Sequence, residues 1–215
     1  MTSIKTLLSA SALSLIAVPA FAAMSVTATT DLNVRAGPGP QHPVETVIGV
    51  DQQATLNGCL EDSKWCQVTV NGQTGWAYSD YLTTDMSGER VVVYEQRQQI
   101  GVPTVTYESS GGAVAGGASG AVAGALIGGP IGAAVGGAAG AVIGASISPS
   151  ATTTTYVESN PVDPVYLEGE VVVGAQLPPE VQLYEVPQAE YRYVYVNGQR
   201  VLVQPDNRQI VYVYR

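Results

Sequence analysis

The chain has 215 residues and carries 9 Lys and Arg against 18 Asp and Glu, a formal net charge of −9 at pH 7. No run of Lys or Arg occurs, so the basic face that a phosphate backbone demands is missing and nucleic acid is excluded as a partner. Cys59, Cys66 and the remote His42 do not make a four-ligand metal site, no cofactor is expected, and one loop histidine supports no Ser-His-Asp set.

The chain opens with MTSIKTLLSASALSLIAVPAFA. Lys5 supplies a positive start, Leu7 to Val18 an apolar stretch, and Ala20-Phe21-Ala22 the small-x-small pattern that signal peptidase cleaves. The expectation is a signal peptide over residues 1–22 and an exported protein of the periplasm or cell envelope. In that compartment Cys59 and Cys66 are expected to form a disulfide, and the stretch CLEDSKWC between them suits opposite strands of a hairpin.

Residues 23–84 hold short β-type runs separated by turn signals: SVTAT, DLNVR, VETVIGV, ATLNGCL, WCQVTVN and GWAYS. Leu32 and Val34 alternate with Asn33 and Arg35, as in a half-buried strand. Asn71-Gly72 marks a tight hairpin. So many short strands predict a small barrel. The motifs LNVRAGPGP, GCLEDSKWCQV and GQTGWAYSDYL resemble the bacterial SH3-like (SH3b) domain over residues 25–84. That resemblance implies a five- or six-stranded barrel with a non-enzymatic binding or targeting role, in a family whose relatives often recognise cell-wall peptides or peptidoglycan. Arg35 then stands out as a carboxylate partner, and Trp65, Tyr78 and Tyr81 as an aromatic ligand platform. The same residue types also suit a purely structural role: Trp76 and Leu82 in the core, Arg35 pinning a loop.

Residues 85–110 read as a linker. The tract 111–148 then holds 13 Gly and 12 Ala, with Gly112, Gly116, Gly120, Gly124, Gly128, Gly132, Gly136, Gly140 and Gly144 on an unbroken four-residue beat. In water glycine costs a helix about 1 kcal/mol per residue relative to alanine, which favours a flexible spacer. No charge occurs from Ser109 to Val157, however, and inside a bilayer helix formation is enforced. Pro130 divides the tract into halves that would each make a short helix. The pattern resembles the two-helix glycine-zipper segments of bacterial envelope proteins. It predicts a helical hairpin packed through its glycines, inserted in a membrane or oligomerised there, with Tyr107 and Tyr156 as interfacial anchors.

Residues 149–170 read as a second linker. In 171–215, YRYVYV and QRVLVQ enclose the turn Asn197-Gly198 and lead to QIVYVY, which predicts an antiparallel β meander to which VQLY adds a strand. The patterns VGxxLPxxVxLYxVP and YRYxxVNGxxVLVxPxxRxIVxV resemble the domain of unknown function DUF1236, a family without assigned activity. Tyr191, Tyr193, Tyr195, Tyr212 and Tyr214 are placed for a cross-strand aromatic ladder.

The fold class expected is therefore mainly β: a small SH3-like barrel, a Gly/Ala-rich helical hairpin and a small C-terminal meander. The function expected is a non-catalytic envelope protein that binds peptidoglycan or a peptide through its barrel. The alternative is a structural membrane protein whose main role is helix self-association.

Overall fold

A computed structural model describes residues 24–107, 121–127 and 147–215. The signal peptide expected over 1–22 lies outside them.

The first eight strands are β1 (Met24–Ala28), β2 (Leu32–Arg35), β3 (Val44–Ile48), β4 (Gln53–Cys59), β5 (Trp65–Val70), β6 (Gln73–Tyr78), β7 (Leu82–Met86) and β8 (Glu89–Val92). They join in one curled antiparallel sheet of order β3-β2-β6-β5-β4-β1-β7-β8. Tight turns set its registers. Asn71 and Gly72 take φ of 51° and 80°, the two positive values that such a turn requires, and Val70 faces Gln73 across it. Ser87 and Gly88 do the same between β7 and β8, with φ of 56° and 87°. Val26, Leu32, Val34, Ile48, Leu56 and Val68 fill the interior.

Cys59 and Cys66 lie opposite one another on β4 and β5 and form the expected disulfide. The loop they enclose is held from outside. After the short helix α1 (Val93–Gln96), Arg97 donates to the carbonyls of Leu60, Glu61 and Ser63. The chain then runs beside β4, where the Cys59 amide donates to Pro103 and the Val105 amide to Cys59. Gly58 permits that approach, since a Cβ there would lie 2.7 Å from the Pro103 carbonyl oxygen. Tyr107 ends this run edge-on to Trp76 and to His42.

Within the Gly/Ala tract, the described residues correct the expected helical hairpin. Ala121–Leu126, Gly124 included, form strand β9. It pairs in parallel with β10 (Tyr166–Glu168), and Ile127 packs into the core. A spacing of four is close to a helical turn but is also a multiple of the two-residue period of a strand, so the beat alone does not choose between them. Gly112, Gly116, Gly120, Gly128, Gly132, Gly136, Gly140 and Gly144 lie outside the described residues. Among those described, no helix is long and apolar enough to cross a membrane.

The C-terminal sheet has the order β11 (Tyr184–Glu185), β12 (Arg192–Val196), β13 (Gln199–Val203) and β14 (Ile210–Val213). Asn197 and Gly198 make the turn, with φ of 49° and 79°. Both faces are covered. Val194, Val196, Val201, Val203, Ile210 and Val213 belong to the same apolar core as the barrel interior. Tyr193, Leu202 and Val211 face the other way and pack with Val157 of α2 (Ala151–Ser159), a helix capped by Ser150 accepting from the Thr153 amide at 3.1 Å. The tyrosines meet as neighbours: Tyr184 and Tyr193 stand 5.8 Å apart on adjacent strands, and Tyr156 of α2 meets Tyr193 edge-on.

The disulfide closes a short loop, for which chain entropy gives a stabilisation of about 2.5 kcal/mol. Replacing Cys59 and Cys66 together by Ala should lower the urea midpoint accordingly. Reductant should bring the wild type close to the same midpoint and leave the variant unchanged.

Candidate functional site

Strand β2 decides the site. Leu32 and Val34 point into the barrel, which places Asn33 and Arg35 on its outer side. A half-buried strand would leave those two in water. Here they are 0% and 1% exposed, because the C-terminal module lies over them.

Two buried polar side chains need partners, and each has a full set. Arg35 Nε donates to Glu170 Oε2 and Arg35 Nη2 to Glu170 Oε1, both at 2.6 Å, a two-pronged ion pair. Its Nη1 is held by the carbonyls of His42 at 2.8 Å, Pro40 at 3.1 Å and Asn197 at 3.2 Å. Asn33 Nδ2 donates to Glu170 Oε1 at 3.0 Å and to Gln199 Oε1 at 2.7 Å. The Val171 amide adds a bond to Glu170 Oε1 at 2.8 Å. Glu170 itself is wholly buried. Asn197 completes the network: its Oδ1 accepts from the Leu167 amide, and its Nδ2 donates to the carbonyls of Leu167 and Gly169. The turn residue thereby fixes the strand that delivers Glu170.

Beside this clamp opens a cleft of about 750 Å³. One wall is the loop from Pro40 to Pro43 followed by β3; the other is formed by Tyr166, Tyr195, Gln199 and Tyr214. β3 ends the barrel sheet, and among the described residues it pairs only with β2. Four successive residues of this end strand, Val44 to Val47, line the cleft. His42 sits at the mouth, where partial burial, and then the nearby Arg35 charge, hold its pKa below the usual 6.5.

The sequence-derived candidates divide into two places. Arg35 is in the clamp, and its carboxylate partner is Glu170 of the same chain. Trp65, Tyr78 and Tyr81 come together elsewhere, as a buried cluster: Trp65 and Tyr78 meet edge-on at 5.3 Å, and Tyr78 and Tyr81 lie 6.3 Å apart. They are 2%, 6% and 3% exposed, so they form no surface platform. Burial, reinforced by Asp80, raises the pKa of both tyrosine hydroxyls far above the ordinary value. Trp65 and Tyr78 face one another across β5 and β6, on the side of the sheet opposite Cys66 and Val68, so later parts of the chain bury them from outside the barrel. Asn33, Glu170, Asn197 and Gln199 were not singled out from sequence. The available signal was Glu170 itself, a carboxylate leading directly into the apolar run VVV. Among the described residues no group of three or more His, Cys, Asp or Glu side chains is placed to hold a metal ion.

Comparison with known families separates the barrel from the C-terminal module. Residues 30–83 match the bacterial SH3 domain, and residues 156–215 match the domain of unknown function DUF1236. No curated protein and no solved structure matches the chain. The clamp thus joins the two matched domains, with Asn33 and Arg35 on one side and Glu170, Asn197 and Gln199 on the other.

Breaking a buried ion pair by removing one partner costs about 3–5 kcal/mol, because the other charge is left uncompensated. Arg35→Met and Glu170→Gln should each lose that much in urea unfolding. The double variant Arg35→Met/Glu170→Met should lose clearly less than the sum of the singles.

His42 is the chain's single histidine. Its lowered pKa means that the unfolded chain takes up the proton first, so stability should fall as pH drops below about 6.5 and be unaffected by this group above about 7. His42→Gln should flatten the thermal midpoint over that interval.

Proposed function

We propose that this chain is an exported, non-catalytic binding protein of the bacterial cell envelope, and that it receives an extended peptide, such as a peptidoglycan stem, in the cleft beside β3. The observation that carries the reading is the pairing of an open strand edge with a wall of tyrosines. An open edge offers main-chain hydrogen bonds to an added strand, and aromatic walls supply contact area with little loss of side-chain freedom. The bacterial SH3 match supports a binding role. The disulfide and the signal-like sequence over residues 1–22 support an oxidising, exported location.

The test is sedimentation of the chain from residue 23 onward with purified peptidoglycan sacculi. The wild type should sediment with the sacculi, and Tyr195→Ala should weaken binding about tenfold, as loss of a contact worth about 1.4 kcal/mol would. A wild type that stays in the supernatant with an inert control protein would overturn the peptidoglycan reading.

A further inference from the structure

The clamp is more elaborate than a link between two modules requires. The Arg35 guanidinium is positioned largely by the barrel itself, since Nη1 is bonded to the carbonyls of Pro40 and His42 in the loop that follows β2. Its other two nitrogens are thereby aimed in parallel at one carboxylate, with Asn33 from the same strand as a third donor. With the C-terminal module seated, Arg35 and Asn33 are 1% and 0% exposed, so the cation and its donors line a pocket that the module closes to water. What fills the pocket is peptide-like: a stretch that runs from strand β10 through Gly169 to Glu170, followed by Val171 and Val172 buried in the core.

We propose that β2 carries a carboxylate-recognition site, built from Arg35 and Asn33, that this chain keeps filled in cis with Glu170. The class of ligand it selects is a carboxylate borne on an extended peptide, and the C-terminal module sits where such a ligand of the barrel would dock. The inference rests on reading the barrel as a binding module, but it concerns the outer face of β2, under the C-terminal module, rather than the edge of β3. Tethering in cis presents Glu170 at a high effective concentration, so free carboxylates do not displace it from the intact protein. Removal of that side chain leaves a fixed cation with an empty place for an anion.

The experiment is thermal unfolding of the chain from residue 23 onward, as wild type, Glu170→Ala and Arg35→Leu/Glu170→Ala, in sodium formate against sodium chloride at equal ionic strength. Formate carries the missing carboxylate and is small enough for the volume vacated by the deleted CH₂–COO⁻. In Glu170→Ala, formate at a concentration well above its dissociation constant should raise the midpoint by about 3–6 °C relative to chloride. The wild type and the double variant should show no such difference. Equal midpoints of Glu170→Ala in the two salts, or an equal formate response in the double variant, would overturn the proposal. Should Glu170→Ala fail to fold in chloride, refolding in formate becomes the readout: recovery of the near-ultraviolet circular dichroism signal supports the site, and no recovery overturns it. Sacculus sedimentation reports only the cleft, so either result leaves the other readable.

Discussion

The bond between Arg35 and Glu170 is the constraint on which the other features depend. A guanidinium and a carboxylate removed from water are unfavourable unless both are fully paired, and pairing these two requires residues 135 apart in sequence to meet. Once they meet, β2 is buried on both faces. The barrel can then no longer be treated as a unit that ends at its last strand. Strand β10 must pass over it to deliver Glu170, and the Asn197-Gly198 turn must lie beside it to hold that strand through the Asn197 side chain. Specificity of docking, more than raw stability, is what such a network supplies, because apolar contact alone would tolerate many orientations.

The packing around the clamp follows the same logic. Two small β modules with separate cores would each be marginal, since small domains bury too little of their surface. The chain avoids this by giving both modules one core, in which Leu32 and Trp76 from the barrel share a cluster with Leu167, Val172, Val194 and Ile210. The C-terminal sheet is consequently sandwiched, with valines toward the barrel and Tyr193, Leu202 and Val211 toward α2. This explains runs such as VLV and IVYV, which would be too apolar for a sheet with one face in water.

What could be read from the sequence was local. Asn-Gly turns at 71–72 and 197–198 require positive φ at both positions, and they place hairpins without knowledge of the rest of the chain. Two cysteines at hairpin distance gave the disulfide, and the SH3-like and C-terminal motifs gave the two modules. What could not be read was set by distant contacts. The alternation in LNVR says that Asn33 and Arg35 face away from the barrel, but not that another module covers them. Tyr78 and Tyr81 have polar ends that suit a surface, and nothing local says that other parts of the chain bury them. ATTTTYVES is a poor helix by propensity, since β-branched threonines lose side-chain freedom there. It forms α2 because Ser150 caps it and Val157 docks on the sheet. In the Gly/Ala tract the four-residue beat fits two periods, and β10 offers Ala121–Leu126 an edge to pair with.

The edge of β3 that has no partner strand among the described residues gains its meaning from this arrangement. Sheets usually protect an end strand with charge, proline, a bulge or a covering element, because unpaired backbone groups invite association with other chains. β3 reads VETVI, and its protection is local: its one charge, Glu45, sits at an irregularity of the pairing with β2, and proline precedes it at position 43. Its opposite wall is not part of the barrel: Tyr166, Tyr195 and Tyr214 all come from the C-terminal module. The edge is therefore part of a cleft only while the module is docked, and Arg35 lines that cleft as well as holding the module in place. One side chain thus couples the integrity of the fold to the shape of the proposed peptide site. A ligand seated against β3 would bind the clamped form alone, and by mass action it would strengthen the docking that creates its own site.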